Sequence, residues 1–551
     1  MSAPRPRKRL LAAASVVAAA ALALTGCSTS STASSSTSSA STSTGITTAW
    51  PADLTSLYPM NLSNSEDAEV ANNVYEGLVA YTFDKAADGS NVWQGSKVSP
   101  ALAKTWDIGA NSITFHLDPT RKFYPSGNTV TADDVKWSLD GALHSLNAQD
   151  LTSNGLQSAD DIHVVDKDTV TVDFTDPSGA PIAAGTTQLA MFVNTNERII
   201  DSVEAKKHAT SADPYAAKWL RSNVVGTGPY YVASWNKGQE VVLKATPGYP
   251  KQPAYKTVTA RIVNDANVAS LVKSGSINFA EFDMSETDIT SLKTAGFTVA
   301  SQATPTLTYL TMAADTGAFA DEKVRQAVAD AVPYEKIVST VYAGRAERAL
   351  SIVNKNSSSY TPAWNEYDTD LTKAKELMKE AGNPSISVPL HYDTADSSQE
   401  NIALLIQENL KQIGITVKLT PQTDNQQWDI INGRSRKPTD PGAADMVLFN
   451  WGPWTDDPKI PVGYATTKGG VNNYALWNDP TVDSIDSTWQ LQADSPEREA
   501  AYKKAQQIIA DAAPVIPITY ADRQSVMAKG MTGATFEQFA GTRYYLITPS
   551  A

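Results

Sequence analysis

Apolar and polar positions along this chain recur with two different periods, and the switches between them mark its elements. Ile113, Phe115 and Leu117 alternate with Thr114 and His116, a period of two that predicts a strand with one buried face. Val170, Val172 and Phe174 repeat the pattern after the polar turn Asp166-Lys167-Asp168. Val164 and Val165 precede that turn, so a hairpin is expected. Elsewhere the period is helical. Thr131 and Asp134 form a capping pair ahead of Val135, Leu139 and Leu143. Asp321 opens a second helix whose Val324, Ala327, Val328 and Ala331 share one face. Pro333 ends it and begins a short helix through Ile337 and Val338. Ser495 before Pro496 starts another, with Tyr502, Ala505, Ile508 and Ile509 on its apolar side.

The clearest larger unit spans residues 387–419. Val388, Leu390 and Tyr392 predict a strand, and Ile402, Leu405, Ile406, Leu410 and Ile413 a helix face. Gly414 stops that helix, and Ile415, Val417 and Leu419 predict the next strand. Such a βαβ unit builds a parallel sheet, with ligand crevices at its strand ends. The mixture of patterns defines an α/β protein, and no fixed short repeat points to a solenoid or propeller.

The first 44 residues follow a different logic. Arg5, Arg7, Lys8 and Arg9 precede the run Leu10–Leu24, and Thr25-Gly26 leads into Cys27, the only cysteine in the chain. A charged start, a short apolar run and a small-residue cleavage site predict an exported chain. The run is shorter than the about 20 residues that span a bilayer. Leu24-Thr25-Gly26-Cys27 resembles the lipobox of bacterial lipoproteins, which implies cleavage after residue 26 and lipidation of Cys27. Ser28–Thr44 is serine or threonine except for Ala33 and Ala40. It reads as a flexible tether with an end-to-end distance of roughly 20–25 Å. Removing the four leader cations takes the formal charge from −14 to −18. That sign argues against nucleic-acid partners and against broad attraction to anionic lipid. A single thiol leaves no intramolecular disulfide, so stability must come from core packing.

Catalytic constellations are missing from the sequence. His116, His144, His163, His208 and His391 are scattered, and no Walker loop, Gly-x-Ser-x-Gly elbow or His-Glu-x-x-His occurs. Ser-x-x-Lys occurs twice, at Ser234/Lys237 and Ser270/Lys273, without the companion motifs of acyl-enzymes. Gly226-Thr227-Gly228 runs into Pro229 and reads as a tight turn. Of the acid pairs, Asp133/Asp134 suits a helix N-terminus, while Asp456/Asp457 stays open. An exported chain of this kind is expected to bind rather than to catalyse, with no cofactor and no metal.

Several segments, in order, resemble the solute-binding proteins of ABC importers in the dipeptide- and oligopeptide-binding family. They are Asn73-Val74-Tyr75-Glu76-Gly77-Leu78-Val79, Pro100–Ala103 through Trp106, Val130–Val135, Gly226–Tyr230 with Trp235, Val324–Ala327 and Ala374–Gly382. The resemblance implies a two-lobed, hinged Venus-flytrap α/β fold with an additional third domain. After the leader (1–26) and the lipidated cysteine with its tether (27–45), domain I would comprise 46–80, 190–305 and 520–551. Domain II would be 81–189 and domain III 306–519. It implies a monomeric receptor on the extracytoplasmic face of the cell membrane, held there by lipid alone. Its partners would be a small solute, a peptide first of all, and an ABC permease with its ATPase subunits. Ligand contacts are implied for Asn450, Trp451, Trp454 and Asp456, and for Tyr75 and Glu76 of the first signature.

One departure bears on the solute. Peptide binders of the family carry an Asp shortly after a Trp, before an Asp-Pro, which pairs with the ligand ammonium. Here the segment reads Asn450-Trp451-Gly452-Pro453-Trp454-Thr455-Asp456-Asp457-Pro458, which puts Trp454 at that place. An indole stacks on rings or on a cation but supplies no full counter-charge. Asp456 could serve instead, or Trp454 could only pack the cleft wall. An oligosaccharide or other non-peptide solute is the alternative within the binding class, supported by the 12 tryptophans. A nickel or haem receptor has no histidine cluster behind it. An extracellular hydrolase is the alternative from another class.

Overall fold

The computed structural model describes residues 45–62, 64–145, 148–193, 197–263, 267–281, 284–394, 396–436, 445–453, 455–537 and 541–550. Cys27 and the serine/threonine tether lie outside the described residues. Among those described, no helix is long and apolar enough to cross a membrane.

The predicted elements form for the reasons their patterns give. Strand Ser112–Leu117 buries Ile113, Phe115 and Leu117 and leaves Thr114 and His116 half-buried. It lies in a four-stranded sheet ordered Ala103–Ile108, Ser112–Leu117, Thr169–Asp173, Ile162–Asp166. The predicted hairpin is its last pair, antiparallel. Val164 and Val165 are nonetheless 38% and 61% exposed, because Ile162–Asp166 is an edge strand that buries only its first residue. Helix Ala132–Leu143 starts in the expected capping box, with Asp134 Oδ2 accepting from the Thr131 N–H and hydroxyl. Asp134 Oδ1 also accepts the Ser202 N–H at 2.9 Å. Helix Pro496–Ala512 is capped by Ser495, which accepts the Arg498 N–H. Each such cap is worth about 1 kcal/mol.

The βαβ unit is strand Ile386–Asp393, helix Ser397–Gln412 and strand Ile415–Gln422, with the two strands parallel and in continuous register. It occupies one side of a seven-stranded sheet. There the order runs Phe279–Ala280, Val515–Met527, Thr298–Met312, Met446–Trp451, Ile386–Asp393, Ile415–Gln422, with Ala346–Arg348 beside Val515–Met527. A separate four-stranded sheet pairs Gly45–Trp50 in parallel with Thr257–Ile262, followed by Glu240–Ala245 and Tyr230–Asn236.

Burial resolves these layers into two large cores. The first gathers apolar residues from Ile46 to Ala260 together with the C-terminal stretch Met527–Ile547. The second runs from Leu307 to Ile518. Strands Thr298–Met312 and Val515–Met527 pass between them, and their antiparallel register is irregular between Ala303 and Leu307 and between Thr308 and Tyr309. The short helix Lys459–Thr466 straddles the boundary. Its Ile460 packs in the first core and its Val462 in the second, each fully buried.

Candidate functional site

The boundary between the cores is built largely from the connection that leaves strand Met446–Trp451. This strand is buried until Asn450 and Trp451, which face Thr308 and Leu307 on the neighbouring strand. The half-buried Trp451 indole packs against both cores. It also stacks on Tyr464, with ring centroids 6.1 Å apart and planes at 29°. Gly452 follows, where a Cβ would press on Pro305 O at 3.1 Å, so the chain turns tightly against the irregular strand. Leu307, Tyr309, Pro453, Pro461 and Ala465 line an apolar hollow beside the indole. Asn450 Nδ2 donates to Asp396 Oδ2 at 2.6 Å, while its Oδ1 is buried and unpartnered. Trp454 lies outside the described residues.

The two acids that follow divide their roles. Asp456 presses its carboxylate against Gly95 of strand Asn91–Pro100, close enough that a Cβ there would stand 2.1 Å from Oδ2. Asp457 is committed on both sides of the boundary. Its Oδ1 accepts from Arg498 Nη2 at 2.7 Å and from the Lys459 N–H at 3.0 Å, and its Oδ2 accepts from Thr187 Oγ1 at 3.2 Å. Lys459 donates Nζ to Ser153 O at 3.3 Å. Burial lowers this ammonium to about 8, with Asp457 opposing the fall. Tyr464 donates its hydroxyl to Asp150 Oδ1 at 3.3 Å. The segment 450–466 thus meets Gly95, Asp150, Ser153 and Thr187 of the first core along one seam.

Tyr75 and Glu76 have other partners. Tyr75 is 1% exposed and donates its hydroxyl to Leu57 O at 3.3 Å. Gly226 sits directly on it, and Gly228 on the backbone of Asn73 and Val74 just before it. A Cβ on Gly226 would lie 2.2 Å from Val74 O and 2.7 Å from the Tyr75 ring. The first signature and the glycine turn are therefore two halves of one contact. Glu76 forms an ion pair with Arg121 and accepts the Tyr249 hydroxyl at 3.0 Å. The structure brings Asn450, Trp451 and Asp456 onto the seam and sets Tyr75 and Glu76 within the framework of the first core.

Three acids that periodicity did not single out lie wholly or partly buried, Glu197 and Glu66 fully and Asp424 half-buried. Glu197 is 1% exposed. Glu66, 6% exposed, has its carboxyl raised to about 7, first by burial and then by the charges of Asp424 and Asp67 against two opposing backbone N–H bonds. Burial also raises Asp424, which opens helix Asp424–Arg436. An acid shows no apolar period, so only tertiary contact reveals it. Among the described residues, no group of three or more His, Cys, Asp or Glu is placed to hold a metal ion.

Two α/β cores joined by paired crossing strands, with polar and aromatic side chains along their seam, define a two-lobed periplasmic-binding-protein fold. Solved structures share it. The dipeptide-binding protein from Pseudoalteromonas sp. SM9913 in complex with Met-Leu has a TM-score of 0.78 at 20% identity, covering 92% of this chain and 100% of that one. The periplasmic binding protein DppA from Helicobacter pylori, in complex with the peptide STSA, has a TM-score of 0.76 at 22% identity, covering 92% and 98%. The family model described as bacterial extracellular solute-binding proteins, family 5 Middle, matches residues 97–473. The chain belongs to this family of ABC-importer solute-binding proteins, which are transport receptors and not enzymes. It is 28% identical over 495 residues to the probable D,D-dipeptide-binding periplasmic protein DdpA of Escherichia coli (strain K12), covering 88% of this chain and 90% of the relative. To the glutathione-binding protein GsiB of Salmonella choleraesuis it is 26% identical over 501 residues, covering 89% and 91%.

Proposed function

We propose that this receptor is anchored to the membrane through lipid on Cys27, captures a peptide-type solute in the seam between its cores, and presents it to an ABC permease. The observation that carries the reading is Trp451, a half-buried aromatic at a strand end that touches both cores at once. A group so placed senses the separation of the lobes and whatever lies between them. Asn450, Trp454 and Asp456 join it as ligand contacts, while Tyr75 and Glu76 support the first core beneath. The names of the relatives, dipeptide- and glutathione-binding, favour a peptide-type solute.

In this reading residues 46–80, 190–305 and 520–551 form one domain, 81–189 a second and 306–519 the opposing lobe. Strands Thr298–Met312 and Val515–Met527 act as the hinge. Their register irregularities fall where the chain crosses, and a broken ladder bends more readily than a regular one. Ligand bound to one lobe is enclosed as the other swings over it. Enclosure removes water and strengthens every polar contact inside.

Native mass spectrometry of the protein purified from its own host checks the solute directly. A co-purified mass that fragments as a peptide is the expected result, and a hexose series would reject the peptide reading. The anchor has its own check. Cys27→Ala should move the receptor from the detergent phase to the aqueous phase of fractionated cells, and continued retention in the detergent phase would refute it.

A further inference from the structure

Neither carboxylate oxygen of Glu197 has a hydrogen-bond partner among the described residues, although the residue is 1% exposed. Buried polar groups are almost always paired, and an exception calls for an explanation. Arg198 lends Glu197 counter-charge, but no nearby cation among the described residues donates a hydrogen bond to it. Arg198 follows in the chain, but its Nη2 donates to Asn72 Oδ1 at 2.7 Å. Lys459 directs its Nζ to Ser153 O and has Asp457 as its main counter-charge.

The surroundings state what kind of partner would fit. Asp150, on helix Ala148–Thr152, adds a second negative charge close enough to disfavour ionisation of Glu197. Tyr464 feels the charges of both Asp150 and Glu197, and Tyr464 is the ring on which Trp451 stacks. Glu197 thus shares its electrostatic surroundings with the Tyr464–Asp150 contact of the proposed ligand seam, where two acids stand against the single charge of Arg198. Two acceptor oxygens call for a group rich in N–H donors, and the field calls for positive charge.

We propose that Glu197 is the counter-charge for a cationic group of the bound solute, the α-ammonium in the peptide reading on which this inference rests. It would supply from the first core the counter-charge that an indole, the side chain of Trp454, cannot carry. In the water-poor seam such a pair is far stronger than in bulk solvent.

Glu197→Gln tests the assignment, because the amide copies the shape of the protonated acid and cannot carry its charge. The wild-type receptor and this variant would be offered a synthetic library of two- to five-residue peptides, once with free amino termini and once N-acetylated. Capture would be weighed by native mass spectrometry. The expected result is a wild-type preference of about 30-fold or more for free amines, the scale of a truncated buried charge pair, which the variant loses. Equal capture of both libraries by wild type, or an unchanged preference in the variant, overturns the assignment.

Capture of neither library by wild type rejects the peptide reading itself, and urea unfolding of ligand-free protein then decides on Glu197. Burial first and Asp150 second raise its carboxyl well above the usual range, Arg198 and its own backbone N–H opposing, with Tyr464 and Tyr81 also within its field. The unfolded carboxyl ionises before the folded one, so wild-type stability should fall relative to Glu197→Gln as pH rises from about 4.5. A variant less stable than wild type by the same margin at pH 5 and pH 8 would mark Glu197 as a structural hydrogen-bonding residue and overturn the proposal.

Discussion

At Trp451 one indole serves two cores, so truncating it removes packing from both. Trp451→Ala should destabilise the protein by about 2 kcal/mol or more, less than a fully buried tryptophan would cost because the ring is half-exposed. Thermal or urea unfolding would check this, and a change under about 0.5 kcal/mol would remove Trp451 from the seam's framework. Glu66 gives a pH-dependent counterpart. Its carboxyl at about 7 lies above the unfolded value near 4.3. The contribution of Glu66 to stability is therefore full below about 4.3 and is lost as pH rises through 7. The loss is on the order of 3 kcal/mol. Glu66→Gln should abolish this slope in urea unfolding measured from pH 4 to pH 8, and an identical slope in both proteins would show that Glu66 ionises freely. Of the seam residues, Asn450, Trp451 and Asp456 were legible in the sequence because they form one contiguous segment with a family pattern. Tyr464 was not, and neither were the buried acids Glu66 and Glu197, since each owes its role to residues tens to hundreds of positions away.

At the scale of elements, the first helix and the C-terminal segment are joined through the Glu69 carboxylate and, most closely, through one amide. Asn73, on helix Ser65–Val74, donates Nδ2 to Thr542 O at 2.7 Å and accepts the Tyr544 N–H at 3.0 Å. Asn73→Ala leaves both backbone groups buried and unpaired, at a cost of about 2–4 kcal/mol. Faster hydrogen exchange at Tyr544 in the variant would locate the effect, and unchanged protection there would refute it. Locally determined elements were the readable ones. The capping box at Thr131, the Ser495 cap and the βαβ unit all follow from residues within a turn or two of one another. The hairpin was readable in position but not in burial. Whether Val164 and Val165 are covered depends on the strand order of the sheet, and their edge position leaves them open. The crossing strands were least visible. Pro305 interrupts the first of them between Thr304 and Thr306, and the buried stretch Leu307–Met312 carries no two-residue alternation to mark it as a strand.

For the whole molecule, the proposed motion sets a demand on the seam: contacts across it must hold the closed form without fixing it. Asp457 separates the two duties. Its Oδ1 belongs to its own core, where Arg498 is 3% exposed and without it would keep only the solvent-exposed Asp494 as an ionic partner. Its Oδ2 reaches across to Thr187. Asp457→Ala should therefore cost several kcal/mol of global stability, as breaking a buried ion pair does, typically about 3–5 kcal/mol. Thr187→Val removes only the bond across the seam, and Asp457 keeps its partners in its own core. One hydrogen bond of about 1 kcal/mol shifts an open–closed equilibrium by roughly fivefold. The valine variant should accordingly unfold within about 1 kcal/mol of wild type while its ligand-free form scatters X-rays with a larger radius of gyration. Saturating solute should bring both proteins to the same compact value, because ligand contacts then outweigh the missing bond. If Thr187→Val instead lowers global stability as much as Asp457→Ala, the contact is part of a permanent interface. The seam would then be a fixed joint between the cores, and capture would have to take place without the lobes parting there.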